Sequence, residues 1–223
     1  MLRPVKEKWH RLLPVLFLVL FALSRWPGLL PPSFSAAYAL VFCAGVYLPR
    51  RLSWWVPLVI MLATDVGLNL YYQHTLPDYN VWNGPDLANL AFNYVAYIVV
   101  NLLGRRFKPQ SSFVALLGGG LLGAILFFLI TNIASWFFNP FHSPEYTKTL
   151  AGLIRALTIG ISGWPTTLEF FRNTLLSGGL FTGLFAAAMK LTAPAESPQE
   201  KEAGNKAAEP EADSEETPEE AKA

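Results

Sequence analysis

A single cysteine among 223 residues excludes an internal disulfide. There is no GxxxxGK[ST] loop, so any dependence on ATP must come from a partner chain. Charge is also scarce: Asp, Glu, Lys and Arg make up 15% of the chain, against about 25% in ordinary soluble domains. The last stretch, residues 195–223, lacks every aromatic and every aliphatic side chain larger than alanine. Such a segment cannot bury enough apolar surface to offset chain entropy and is expected to be disordered. It holds ten of the sixteen acids and three of the seventeen bases, leaving the preceding residues with a net charge of +8. The polar tail also makes the body more apolar than its average. With 52% hydrophobic and 14% aromatic residues overall, and a mean hydropathy of +0.33, that body belongs in lipid.

Six apolar blocks follow one another at about 11–26, 34–49, 52–72, 87–104, 113–138 and 167–190. The reading is all-α: a polytopic membrane protein with a basic cytoplasmic N-terminus at 1–10, a six-helix transmembrane domain at 11–190 and a disordered acidic cytoplasmic tail at 191–223. Basic residues fix the orientation. Arg3, Lys6, Lys8, Arg11, Arg50, Arg51, Arg105, Arg106, Lys108 and Lys190 alternate with Arg25, Lys148 and Arg155 on the opposite side, which places both ends in the cytoplasm and the body in a bacterial cytoplasmic membrane. The small residues at 35–37 resemble a signal-peptidase site, but Arg25 and three prolines separate them from the first apolar run. That block is expected to be a retained helix.

Polar side chains recur at one depth near the outer ends of blocks three to six. Asp65 and Asn69 are one turn apart, as are Asn89, Asn93 and Tyr97, Asn132 and Trp136, and Glu169 and Asn173, with Arg172 beside the last pair. Counted back from the block ends at 1.5 Å per residue, they fall within about 10 Å of the surface. An intramembrane charge costs about 2.5–3.5 kcal/mol on insertion scales, so these groups are expected to face one another or a wet cavity. The expected substrate-binding set is Asp65, Asn69, Asn93, Tyr97, Asn132, Trp136, Glu169, Arg172 and Asn173, with Tyr94 as a further aromatic wall. The blander alternatives are Glu169–Arg172 neutralisation and asparagines acting as interhelical glue.

The remaining motifs point elsewhere. Gly119 with Gly123 and Gly179 with Gly183 have GxxxG spacing, suited to close helix packing or to docking another membrane subunit. His74 with Asp78 and His142 with Glu145 lie in two separate outer loops, and two solvated histidines are the simpler reading than a metal site. "GISG" at 160–163 resembles the serine loop of rhomboid-type proteases, but no histidine follows His142 to act as base, so no enzyme is expected. The stretch "GLIRALTIGISGW" reads as a short amphipathic or re-entrant element over the pocket mouth. No cofactor and no nucleic-acid partner are expected.

"PLVIMLATD" from Pro57 to Asp65, "TN" at 131–132 and "FFRNTL" at 170–175, set among "SAAYALVFCAGVYLPRR" and the basic loop "GRRFK", resemble a family of uncharacterised bacterial six-helix membrane proteins assigned as transporters. That family is similar in turn to the S components of energy-coupling factor (ECF) transporters, and the resemblance covers about residues 10–190. It implies capture of a small vitamin-like solute near the outer face, and a transmembrane coupling subunit with ATPase subunits as partners. The alternative is a non-transporting scaffold whose basic inner loops and acidic tail recruit proteins or anionic lipid.

Overall fold

The computed structural model describes residues 16–17, 19–76 and 82–192, so the basic N-terminus, Asp78 and the acidic tail lie outside the described residues. Within them all regular structure is helical. Helix α1 covers 16–17 and 19–24, followed by α2 (Ala37–Tyr47), α3 (Arg50–Thr75), α4 (Gly84–Gly104), α5 (Phe113–Phe138), α6 (Leu150–Thr158) and α7 (Thr167–Thr192).

Local chemistry sets the helix ends. Asn83 caps α4 by accepting from the Asp86 N–H, with Pro85 in the first turn, and Ser112 caps α5 by accepting from Ala115 N–H. Asn139 closes α5 in the left-handed conformation at φ 43°. Thr166 and Glu169 form a reciprocal capping box on α7: Thr166 N–H donates to Glu169 Oε2 at 2.8 Å, and Glu169 N–H to Thr166 Oγ1 at 3.3 Å.

Among the described residues four helices, α3, α4, α5 and α7, are long and apolar enough to cross a membrane. The second apolar block differs from the others: α2 has 11 residues, about 16 Å, half of a hydrocarbon core. It is a central strut, buried along nearly its whole length among α3, α4, α5 and α7. At its crossing with α4 the backbones touch, since a Cβ on Gly104 would lie 2.2 Å from the Phe42 carbonyl oxygen. The glycine pair singled out on α5 also packs inside the protein, Gly119 against Phe42 and Phe107, and Gly123 against Val100. By contrast α3 shows a continuous apolar stripe outward, Leu52, Trp55, Val59, Leu62, Val66 and Leu70, as a lipid-facing helix should.

One buried amide explains how α3 tolerates Pro57 in its interior. Proline has no N–H for the Ser53 carbonyl four residues back. Asn101 on α4 supplies it instead: its Nδ2 donates to Ser53 O at 2.8 Å and to Val41 O at 3.2 Å, tying α4 to α3 and α2. Asn101→Leu would strand the buried Ser53 carbonyl, whereas Val41 O keeps its own helical donor, so we expect a loss of about 1–3 kcal/mol. Thermal unfolding in detergent measures it, and an unchanged midpoint would contradict the role.

The bundle has two chemically different ends. Arg50, Arg51, Arg105, Arg106, Lys108 and Lys190 gather at one, and the connections 25–36 and 139–166 occupy the other, beside the last turn of α3 and the first turn of α4. We call them the basic end and the loop end.

Candidate functional site

Three recesses adjoin one another at the loop end. The first, about 530 Å³, lies between the 25–36 connection and the ends of α3, α4 and α5, with Arg25, Tyr38, Tyr72, Asn93, Tyr97 and Phe127 in its wall. The connection keeps its shape through ties to the helices. Asn173 Nδ2 donates to Pro32 O at 3.0 Å, the Tyr38 hydroxyl to Ser33 O at 3.1 Å, and Ala36 N–H to Ser24 Oγ at 3.0 Å. Aromatic rings form the floor: Phe127 stacks on Tyr97 at 5.1 Å between centroids and meets Tyr38 at 4.7 Å.

A buried ion pair supports this wall. The Arg25 guanidinium donates through Nη2 to Asp65 Oδ1, and the Tyr94 hydroxyl donates to Asp65 Oδ2 at 2.9 Å. The two side chains are only 17% and 9% exposed, so neither charge is screened by bulk water. Arg25 also sits 5.8 Å from the Phe21 ring centre and reaches the Met61 sulfur through Nη1 at 3.6 Å.

The second recess, about 200 Å³, shares Ser33, Asn93 and Phe127 with the first and adds Asn89, Thr131, Asn132 and Ser135. Here Ser135 Oγ donates to Asn89 Oδ1 at 3.1 Å, and Asn132 Nδ2 to its own helix at Phe128 O, 2.8 Å. The third, about 750 Å³, shares Asn89, Asn132 and Phe170 with the second and runs under the 139–166 connection. Asparagines on α4 and α5 thus line a continuous set of hollows, presenting both donors and acceptors to anything that enters.

The expected site residues separate into wall and framework. Asn93, Tyr97 and Asn132 line the recesses. Asp65 stands behind the first wall with both oxygens engaged, and Asn69 is half-buried one turn beyond it on α3. Trp136 donates its indole N–H to Thr147 O at 2.8 Å and carries Lys148 over its ring, fastening the 139–166 connection. Glu169 caps α7, Arg172 is exposed and touches Asn173 through Nε at 3.4 Å, and Asn173 anchors Pro32. Arg25 is the residue the sequence reading left out of the site. Its signal was available: Asp65 has no base within a turn of it on α3, and Arg25 is the lone cation at the loop end of block one.

The connection over the third recess is itself cross-tied. Glu145 Oε2 accepts from Arg155 Nη2 at 2.8 Å and from Ser162 N–H at 3.0 Å. Hydrogen bonds from Ser162 first, and from Arg155 next, hold the Glu145 carboxyl below its usual range. A depressed carboxyl stabilises the connection above the ordinary Glu value of about 4.3, and that contribution fades as pH falls through the lower folded value. We therefore expect the hydrogen-exchange protection of 139–166, taken relative to the intrinsic rate at each pH, to stay constant from pH 7 to about 5 and to fall in more acidic buffer. Glu145→Gln should show the acid behaviour at neutral pH; a pH-independent pattern would contradict the tie. Among the described residues no cluster of His, Cys, Asp or Glu side chains is placed to hold a metal ion.

A family model described as "Family of unknown function (DUF6580)" matches residues 6–200, and the chain belongs to that family. No curated protein and no solved structure matches it.

Proposed function

We propose that this member of the DUF6580 family is a six-helix, solute-binding membrane protein of a bacterial inner membrane, with the loop end outside and both termini in the cytoplasm. In this reading it captures a small solute in the joined recesses and delivers it inward as an S component does, beside a transmembrane coupling subunit powered by separate ATPases. The supporting observation is Asn93. It stands in the wall of both the first and the second recess, opposite Phe127 and one turn from Tyr97, so a planar solute would meet a hydrogen-bonding amide and stacking rings together. Arg50, Arg51, Arg105, Arg106, Lys108 and Lys190 at the opposite end support the orientation.

Native mass spectrometry of the full-length protein released from detergent tests the reading. The expected spectrum contains a mass above that of the chain, matching a retained small molecule, with ATPase subunits in gently solubilised preparations. A bare chain alone, from membranes exposed to the native growth medium, would count against solute capture.

A further inference from the structure

Resting on that solute-binding reading, we infer that the first recess takes a carboxylate-bearing solute, anchored on Arg25. Among the described residues Arg25 is the one charged side chain in the wall of this recess. Its partner Asp65 does not line it, and both Asp65 oxygens are taken, by Arg25 and Tyr94. A solute entering here therefore meets the cation of the pair and not the anion.

The guanidinium is also short of acceptors. Nη2 has Asp65, Nη1 meets the weakly accepting Met61 sulfur at 3.6 Å, the Tyr97 hydroxyl adjoins the group, and Nε is buried with no partner. Arginine carries five N–H donors in a planar fork suited to carboxylate oxygens, and a buried donor without an acceptor costs free energy until one arrives. A solute carboxylate would satisfy what the thioether cannot. Tyr94 has a part in this arrangement, because its hydroxyl steadies Asp65 while Arg25 is shared between two anions. The Tyr97 and Phe127 rings beside Arg25 favour a carboxylate attached to a flat apolar body. A cationic solute would instead face Arg25 with no free anion to answer it.

The test uses three matched probes, 4-fluorobenzoate, 4-fluorobenzamide and 4-fluorobenzylamine, with full-length protein in detergent and binding read from ¹⁹F line broadening. The benzoate should bind at least fivefold more tightly than either neutral or cationic analogue. In the double variant Arg25→Gln/Asp65→Asn, which leaves no buried charge unpaired, that preference should vanish, and circular dichroism would establish that the variant is folded. An amide or amine bound as tightly as the benzoate, a preference that survives the double variant, or binding of none of the three would overturn the inference. Labelling from outside of a cysteine introduced by Asn93→Cys separates the two failures. Labelling without carboxylate preference sinks the anchor alone, and no labelling sinks the recess with it.

Discussion

Asp65→Ala is expected to destabilise the protein by about 3–5 kcal/mol, the typical cost of removing one partner from a buried ion pair. The Arg25 guanidinium would remain among Phe21, Met61 and Tyr97 with its one anionic partner gone. Most of the loss is the price of that stranded charge, not the worth of the pair. Arg25→Met combined with Asp65→Leu should accordingly recover most of the stability, since well-packed apolar replacements of buried ion pairs are often neutral. Denaturant or thermal unfolding of the parent and the two variants measures the difference. A single variant as stable as the parent, or a double variant no better than the single, would show that the pair is not buried together as described.

The second large effect is expected on binding. Asn93→Leu keeps the side-chain size but removes the donor and acceptor that serve two recesses at once. Losing hydrogen bonds to a buried solute leaves the solute's own polar groups unpaired, worth about 1–3 kcal/mol, or roughly ten- to hundredfold in affinity. The fraction of protein carrying retained solute in native spectra should fall by that order while the unfolding midpoint stays near that of the parent. Equal occupancy in the variant would remove Asn93 from the site.

Local signals in the chain were legible because they act over a few residues. Apolar runs gave the four long helices, and Asn83, Ser112 and the Thr166-x-x-Glu169 spacing carry their capping chemistry within one turn. That last spacing also accounts for Glu169 at the head of an apolar helix: it caps, and needs no solute to justify it. The interior length of α2 was less legible, because periodicity cannot separate a short buried strut from a tilted span. Contacts between helices were out of reach. Arg25 and Asp65 are 40 residues apart, and Asn101 reaches Ser53 from 48 residues away. That Asn93, Tyr97 and Asn132 line recesses is in keeping with their i, i+4 faces, whereas the turning of Trp136 and Asn173 onto loop carbonyls was decided by connections with no periodic signal.

The most direct test of a recess open at the loop end is chemical access to its wall. Cys43 is buried and single, so Cys43→Ser gives a thiol-free background into which Asn93→Cys can be introduced. In intact cells a membrane-impermeant maleimide should label that position from outside, while Arg106→Cys in the same background should react only after the membrane is opened. Labelling of the Arg106 position alone in intact cells, or no reaction at position 93 even in opened membranes, would contradict the account.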